Sequence, residues 1–263
     1  MKLIGKSKYY LKKLIFPMLE AIIGDFYFKC KGFCPCCDKQ VEFVSHNSWL
    51  RDFFKCNNCG SIPRERALML TIEKYYPNWK QLKIHESSPN NRGHSQKLRR
   101  LAKYYKETQF YPNEQLGALV KNVQNENLEC QTFDDSSFDL VITSDVMEHI
   151  YNPEMAFREI HRTLKSGGAH IFSVPLVNKF NPTQRWAKKG EDDSPVFLYE
   201  PEWHGNPINK KGSPVTMHWG YDIVEFIKEY VDADTKIEYI NNLDFGVRAE
   251  YIEIVVAKKK NNE

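Results

Sequence analysis

Residues 138–149 read Phe-Asp-Leu-Val-Ile-Thr-Ser-Asp-Val-Met-Glu-His, and residues 169–175 read Ala-His-Ile-Phe-Ser-Val-Pro. Both stretches contain an apolar run of strand length, and the first run is followed by acidic residues. The segment between them has the pattern of an amphipathic helix. This order predicts a βαβ unit with polar groups at the carboxyl edge of a parallel sheet, where α/β folds bind ligands.

The predicted helix between the two runs has recognisable ends. Asn152 suits the capping position, Pro153 suits the first helical position, and Gly167 suits a left-handed stop. The apolar side chains that repeat with helical spacing are Phe157, Ile160 and Leu164. The pattern by itself indicates a βαβ unit and leaves open which doubly wound family contains it.

Three short sequence motifs occur along this unit. They are Phe-Asp-Leu-Val-Ile from Phe138, Asp-x-x-Glu-His from Asp145 and Leu-Lys-x-Gly-Gly from Leu164. In this order they resemble the fourth and fifth strands of class I S-adenosylmethionine-dependent methyltransferases. A predicted strand at 235–240 and an apolar strand at 251–257 are similar to the antiparallel hairpin that ends that sheet. The resemblance covers residues from about 80 to 258 and implies an α/β, doubly wound Rossmann-like methyltransferase sheet.

The composition fits such a domain with an addition at its amino-terminal side. The chain has 263 residues, 41% of them apolar, and 37 basic against 34 acidic residues give a net charge of +3. Because these charges are interspersed, no nucleic-acid partner is expected. The predicted divisions are an amphipathic segment at 1–29, a zinc ribbon at 30–62, a connecting helix at 63–79, and a methyltransferase-like domain at 80–263 with a lid insertion at 176–219.

The first thirty residues are basic and apolar. Pro17, Glu20 and Asp25 interrupt the apolar run, so it is too short to span a bilayer, and it lacks the small-residue cleavage site of a signal peptide. An amphipathic helix packed on the body of the protein is predicted, with peripheral membrane contact through residues 1–28 as the alternative. The predicted location is the cytoplasm, with association at the inner face of the membrane left open.

Four of the seven cysteines form two C-x2-C pairs separated by a spacing typical of zinc sites. The predicted ligands of one structural Zn²⁺ are Cys34, Cys37, Cys56 and Cys59. Disulfides or free thiols are the alternative, and Cys30 or Cys36 could replace a ligand. Cys130 is predicted to lie in an apolar strand and to be part of the core. Arg64 and Arg66, in the connecting helix, are read as a solvated face.

The first strand of the resembling region is predicted at 82–85, and the loop at 86–95 should hold S-adenosylmethionine. The family carries a glycine-rich E/D-x-G-x-G-x-G loop here, whereas this chain keeps one acid and one glycine, with serines and asparagines between them. Turn-forming small residues can still bend a backbone around the methionine part of the cofactor. The residues assigned to the cofactor from this loop are Glu86, Ser87 and Gly93.

The remaining cofactor contacts follow the other strands. Glu114, after a second strand at 108–111, would hold the ribose or else cap a helix running through Val120. Glu126 or Asn127, before a third strand at 128–132, would lie near the adenine. The resemblance places Ser144, Asp145 and Val146 on the methionine side.

His149 is the candidate general base, acting on an acceptor hydroxyl or amine. Its alternative role is structural, as an ion pair with Glu148. The long segment 176–219 lacks a helical or alternating pattern but contains several aromatic residues, which favours a folded lid. Within it, Trp203, His204 and His218 are predicted to hold a polar acceptor such as a sugar. A packed loop is the alternative, as is a metal bound by the two histidines with Glu202.

Two functions are therefore predicted. The first is an S-adenosylmethionine-dependent methyltransferase that acts on an oxygen or nitrogen of a small-molecule or carbohydrate-like acceptor by in-line displacement. The second is a catalytically inactive scaffold protein that keeps the fold and contacts a partner through the zinc ribbon.

Overall fold

The computed structural model describes residues 26–206 and 208–261. The predictions of an amphipathic segment at 1–29 and of membrane contact through 1–28 therefore fall almost entirely outside the described residues. The first strand begins at Phe28, inside the segment that was predicted to be helical. Within the described residues, no helix combines the length and the apolar character needed to cross a bilayer.

Helices connect some of the consecutive strands, as in β4-α3-β5 and β8-α4-β9, as expected of an α/β protein. The helices are α1 (Leu50–Phe53), α2 (Pro63–Tyr75), α3 (Gly93–Leu101), α4 (Pro153–Thr163) and α5 (Ile223–Tyr230), with single 3₁₀ turns at Trp79–Gln81, Met147–His149 and Leu243–Phe245. The strands are β1 (Phe28–Cys34), β2 (Lys39–Ser45), β3 (Lys55–Cys56), β4 (Lys83–Ser87), β5 (Tyr104–Gln109), β6 (Leu119–Val120), β7 (Val123–Asn125), β8 (Phe138–Ser144), β9 (Leu164–Ser173), β10 (Gln184–Arg185), β11 (Ala187–Lys189), β12 (Pro195–Phe197), β13 (Trp203–His204), β14 (Ser213–Pro214), β15 (Met217–His218), β16 (Ala233–Glu238) and β17 (Ile254–Lys259).

The central sheet has eight strands in the order β16-β17-β9-β8-β4-β5-β7-β6. Strand β4 pairs in parallel with β5 on one side and with β8 on the other, and β8 pairs in parallel with β9. Strand β17 is antiparallel to both β9 and β16. The predicted Rossmann-like α/β fold with a terminal antiparallel hairpin is confirmed. The chain continues from β4 to β5 on one side and later returns to β8 on the other side. The switch point of the sheet therefore lies at the carboxyl ends of β4 and β8.

The predicted βαβ unit is present with one difference in its helix end. Strand β8 alternates little in burial because both of its faces are covered, and α4 begins at Pro153 as predicted. The helix ends at Thr163, and β9 starts at the next residue. Gly167 has φ 74° but lies within β9. The expectation that Gly167 stops the helix was therefore wrong, and its left-handed backbone lies where the β8–β9 register shifts.

The second and third strands differ from the sequence prediction. The second strand begins at Tyr104, so Tyr105 belongs to β5 and not to the preceding helix. The third strand is β7, and residues 128–132 form a turn and extended chain that leaves Cys130 exposed. Residues 114–120 are not helical; they lead into a β6–β7 hairpin. Lys121 and Asn122 have φ values of 51° and 67°, as a two-residue hairpin turn requires.

The cysteine module, residues 28–62, is a three-stranded antiparallel sheet in the order β1-β2-β3. It packs against the 3₁₀ turn at Leu243–Phe245, where a side chain on Gly32 would collide with the backbone oxygen of Asp244. Arg66 of α2 is fully buried and donates to the backbone oxygens of Phe54 and Gly246. The module is thereby joined to the last loop of the methyltransferase-like sheet. The solvated helix face expected for Arg66 was wrong.

Segment 176–219 is folded by local strand pairs and by contacts with the 3₁₀ turn at Met147–His149. Strands β10 and β15, β11 and β12, and β13 and β14 form three small antiparallel pairs. The backbone N–H of Thr216 donates to the oxygen of Glu148 at 2.8 Å, and the Trp219 indole donates to the oxygen of Met147 at 3.3 Å. These contacts fasten the segment beside the carboxyl edge of the sheet.

Candidate active site

Two strand ends at the switch point carry left-handed residues that are not glycine. Ser88 follows β4 with φ 58°, and Asp145 follows β8 with φ 53°. The Ser88 N–H donates to the Thr108 oxygen at 2.8 Å, and the Asp145 N–H donates to the Ser173 oxygen at 2.9 Å. Such backbone conformations cost of order 1–3 kcal/mol and concentrate at functional sites. The loops after β4 and β8 therefore bound the candidate active site.

Glu86 and Ser87, the first two predicted cofactor contacts, are both buried at the end of β4. The Glu86 carboxylate lies 3.1 Å from His94 Nε2 and accepts hydrogen bonds from Ser95 and from Tyr105, the latter at 2.7 Å. Burial raises the pKa of Glu86, but these partners outweigh that effect and leave the pKa below its usual range. The side chain thus anchors the loop internally, at the start of α3.

Gly93, the predicted cradle residue, faces the connecting helix. Its φ is 60°, and a Cβ atom there would collide with the carboxylate of Glu65. Arg92 pairs with the same carboxylate at 2.9 Å, and Glu65 accepts from the N–H of Ile62 at 3.1 Å. Gly93 thus allows α2 and α3 to approach closely. Any cradle for a ligand at this loop is formed by Ser88 and its neighbours.

Asp145 is held by two arginines from outside the central sheet. Its carboxylate lies 2.8 Å from the Arg51 guanidinium and 2.7 Å from that of Arg64. Ser173 donates to it at 3.2 Å. Burial raises the pKa of Asp145, but the two guanidinium groups outweigh that effect and lower it to about 2. The cysteine module and α2 therefore reach the carboxyl edge of the sheet through this ion pair.

The other predicted cofactor residues lie along the same edge. Ser144 shares a 3.0 Å hydrogen bond with Ser173, and Val146 is half-buried beside it. Asn127 is half-buried and accepts from the Glu129 N–H at 2.9 Å. Glu114 is exposed in the turn that follows β5, and only its backbone oxygen contacts the β7 strand, through Asn125 at 2.8 Å.

The structure brings the predicted acceptor residues and the predicted base together. The rings of His149 and His204 are 5.0 Å apart and perpendicular. Glu202 lies between two imidazoles, 3.4 Å from His204 Nε2 and 2.8 Å from His218 Nε2. These two histidines lower the pKa of Glu202 to about 2, while Glu148 and Glu202 raise the pKa of His204 to about 9.

Trp203, the remaining predicted acceptor contact, has 45% of its surface exposed. Its ring packs against Phe197 at 5.8 Å. The exposed indole is thus available at the outer side of segment 176–219.

The four cysteines of the two C-x2-C pairs form one cluster. Cys34 Sγ lies 3.7 Å from Cys59 Sγ, and Cys37 Sγ lies 3.9 Å from Cys56 Sγ. Sulfurs at about 2.3 Å from a tetrahedral ion would be about 3.8 Å apart. The two spare thiols point elsewhere, because Cys36 donates to the Glu65 oxygen at 3.6 Å and Cys30 to the Leu243 oxygen at 3.5 Å; the members of the cluster are Cys34, Cys37, Cys56 and Cys59.

Residues 95–172 match the family described as a methyltransferase domain. Over 121 residues the chain is 27% identical to the ubiquinone biosynthesis O-methyltransferase of Ruegeria sp. (strain TM1040), a match that covers 38% of this chain and 48% of that protein. Both matches are to methyltransferases, and the family match covers residues 95–172 of this chain. The chain spans about half the length of the curated relative.

Some solved structures are similar to a larger part of the chain than this relative is. The S-adenosylmethionine-dependent methyltransferase from Mesorhizobium loti is 14% identical, with a TM-score of 0.46, over 73% of this chain and 98% of that one. The PH0226 protein from Pyrococcus horikoshii OT3 is 16% identical, with a TM-score of 0.45, over 76% and 90%. The family match to the methyltransferase domain runs from α3 into β9 and contains Asp145 and His149. The cysteine module lies before it.

Sequence reasoning missed two groups at the edge of the methyltransferase domain. Arg51 gave no signal, because its partner Asp145 is 94 residues away in the sequence. Arg64 was read as solvated, yet only 13% of its side chain is exposed. Burial raises the pKa of both Asp145 and Glu86, but their partners outweigh that effect, so both carboxylates stay charged at this edge of the sheet.

Proposed function

We propose that the chain transfers a methyl group from S-adenosylmethionine to an oxygen or nitrogen of a small hydroxylated or carbohydrate-like acceptor. The observation that carries the proposal is that the carboxyl ends of β4 and β8, the switch point of the sheet, lie beside the residues that match a methyltransferase domain. Segment 176–219 adds imidazole, carboxylate and indole groups beside it. When bound, the cofactor supplies an activated methyl group on a sulfonium.

The residues at this edge fit a cofactor with an amino group, a carboxylate and hydroxyl groups. Ser88 has a small side chain and a left-handed backbone that turns the chain away from β4. In the proposal, the polar backbone groups of this loop face the cofactor. Ser144, Val146 and Asn127 are partly accessible along the same edge. In the proposal, these residues bind and orient the cofactor, while Glu86 and Asp145 fix the two loops from behind.

Cofactor affinity should depend on the left-handed conformation of Ser88. We expect Ser88→Val to weaken S-adenosylmethionine binding at least tenfold, about 1.4 kcal/mol, because a β-branched residue disfavours positive φ and displaces the loop. Ser88→Gly, which keeps the conformation without strain, should bind within about threefold of the wild type. Calorimetric titration measures both. Equal affinity of the valine variant and the wild type would place the pocket away from this loop.

The acceptor is proposed to lie on the side of segment 176–219. We expect Trp203→Ala to reduce methyl transfer at least fivefold, because an exposed indole offers a stacking face, and to leave cofactor affinity within about twofold. The measurement is label transferred from methyl-labelled cofactor into hydroxylated small molecules. Leu119→Ala, which changes an exposed apolar residue on the far hairpin, is the matched control. Loss of cofactor binding in Trp203→Ala would identify the segment as part of the nucleotide site.

We further propose that the cysteine cluster holds one structural Zn²⁺. Four thiolates close a tetrahedral coordination shell and leave no position for substrate. The support is the spacing of the sulfurs together with the N–H groups of Asn58 and Cys59, which approach Cys56 Sγ at 3.4 and 3.5 Å. A zinc there would stabilise a module that is too small to have a large core of its own.

One observation favours the second candidate, a scaffold without catalysis. The acidic groups at the ends of β4 and β8 already have partners within the protein, Ser95 and Tyr105 for Glu86 and two arginines for Asp145. Titration with S-adenosylmethionine distinguishes the candidates, since a scaffold would show no binding at millimolar cofactor. Binding with a dissociation constant in the micromolar range supports the enzyme. The cytoplasmic location and the membrane contact of residues 1–28 stay predictions.

A further inference from the structure

Glu148 is a buried carboxylate with no hydrogen bond. Its residue surface is 1% exposed, and neither carboxylate oxygen has a hydrogen-bond partner among the described residues. The nearest cationic or donor nitrogens are His149 Nε2 at 3.7 Å and His204 Nδ1 at 3.8 Å from Oε1. A buried carboxylate left without a hydrogen bond costs several kcal/mol unless something compensates its charge.

Hydrogen bonds on the far side of each ring leave one ring nitrogen on the side of this carboxylate. His149 Nδ1 lies 2.8 Å from the Pro214 backbone oxygen, which only accepts, so Nδ1 carries the proton and Nε2 is bare. His204 Nε2 lies 3.4 Å from Glu202, whose other oxygen is held by His218 at 2.8 Å. His204 Nδ1 is the nitrogen on the Glu148 side, and an ion that binds there displaces the proton that it carries while the ring is charged. This is the outer arrangement that carboxylates and carbonyls give to metal-binding histidines.

We propose that Glu148, His149 and His204 form a second metal site, for a divalent transition-metal ion, with Zn²⁺ the expected occupant. One oxygen and two nitrogens, one from each side chain, lie within 4.8 Å of one another. Ligand atoms about 2.1 Å from a tetrahedral ion are about 3.4 Å apart, so the two oxygen–nitrogen distances of 3.7 and 3.8 Å need to shorten by only a few tenths of an ångström. A charge of +2 would compensate the buried carboxylate.

The fold holds the three ligands on two segments that are fastened together. Glu148 and His149 belong to the 3₁₀ turn that follows β8, and His204 belongs to β13, which pairs with β14. Thr216, just beyond β14, donates from its backbone to the Glu148 oxygen at 2.8 Å. The three donors therefore need little rearrangement to close on an ion.

Three protein ligands leave a coordination position open. In sites with two histidines and one glutamate, that position holds water or a substrate oxygen. Glu148 and His149 lie three and four residues beyond Asp145 in the chain, and His204 lies in segment 176–219. If the proposed function holds, an ion at this site would position a hydroxyl of the acceptor and would lower the pKa of that hydroxyl. The metal site itself does not depend on the reaction.

The test is the metal stoichiometry of the full chain. Metal-free protein is titrated with Co²⁺, which gives an intense thiolate charge-transfer band only at the cysteine cluster, and total bound metal is measured separately. We expect two equivalents in the wild type. Glu148→Gln and His204→Ala should each bind one equivalent and keep the thiolate band at full intensity. The control is His46→Ala, an exposed histidine in the cysteine module, which should bind two.

The retained thiolate band shows that a variant is folded around its first site, so loss of the second equivalent then reports on the ligands alone. A wild type that binds one equivalent at micromolar free metal would overturn the proposal. So would a Glu148→Gln variant that still binds two. Because no step of the test measures methyl transfer, its failure is distinct from a failure of the proposed enzymatic function.

Discussion

Cys56→Ser is expected to abolish zinc binding at the cysteine cluster and to unfold the cysteine module. Cys56 Sγ lies 3.9 Å from Cys37 Sγ and accepts the N–H groups of the following turn, so serine removes a metal ligand and the centre of that turn. Structural zinc sites contribute about 10–16 kcal/mol in small peptides at neutral pH, more than a whole domain's typical stability. Elemental analysis should show the loss of one zinc per chain, and proteolysis should begin within residues 28–62.

Two cysteine variants provide matched controls. Cys130→Ser changes an exposed thiol in a turn, and Cys30→Ser changes a thiol that donates to the Leu243 oxygen and lies outside the cluster. Both should keep full zinc content, and Cys130→Ser should keep wild-type stability. If Cys56→Ser retains its zinc while Cys30→Ser or Cys36→Ser loses it, the ligand set is wrong. Protein purified without chelator that contains no metal would contradict the zinc proposal as a whole.

Asp145→Asn is expected to lower the free energy of unfolding by about 2–3 kcal/mol at neutral pH. The variant leaves the Arg51 and Arg64 guanidinium groups in a largely buried position without the carboxylate that compensates them. For a chain of this size the melting temperature should fall by about 5–10 °C. Thermal unfolding monitored by circular dichroism measures the change.

The same ion pair predicts how stability depends on acid. The pKa of Asp145 is about 2 in the folded protein, below the value of about 3.9 for an unfolded chain. A lowered pKa stabilises the folded state fully above about pH 4 and loses that contribution as the pH falls through about 2. The stability difference between wild type and Asp145→Asn should therefore be constant above pH 5 and shrink toward pH 2.

Asp134→Asn is the control for this measurement, because Asp134 is an exposed carboxylate in the loop before β8. Its stability should parallel the wild type at every pH. An Asp145→Asn variant that is as stable as the wild type at pH 7, or whose difference grows as the pH falls, would show that the ion pair does not fasten the cysteine module to the sheet.

The parts of the fold that could be predicted are those with local signals. The apolar run of β8 and the periodic apolar face of α4 fix their own structure, and the resemblance supplied the order of the strands around them. The β6–β7 hairpin was missed because its turn depends on the left-handed conformation of Lys121 and Asn122, and only the asparagine signals it. The exposure of Cys130 was missed together with the hairpin, since the strand predicted to begin at residue 128 begins five residues earlier, at Val123 of β7.

The contacts of the predicted site residues could not be read from the sequence. Asp145 and His149 were predicted from the sequence motifs around them, whereas their partners come from distant segments. Nothing in the sequence near Arg51 indicates Asp145, and nothing near His204 indicates Glu148, because each pairing is made only when separate elements dock. The contact of Gly93 with Glu65 could not be predicted for the same reason, since Glu65 comes from the connecting helix.

The contact of Gly32 with Asp244, together with the bonds from Arg66 to Gly246, gives the protein an order of assembly during synthesis. The cysteine cluster is complete once residue 59 has left the ribosome, whereas its docking surface at 243–246 follows about 185 residues later. At about 5–20 residues per second, that interval is of order 10–40 s. During this time Phe43 of the module and Arg66 of α2 lack their contacts with Gly246. A nascent chain that pauses before residue 243 should therefore recruit chaperones at its metal-binding end.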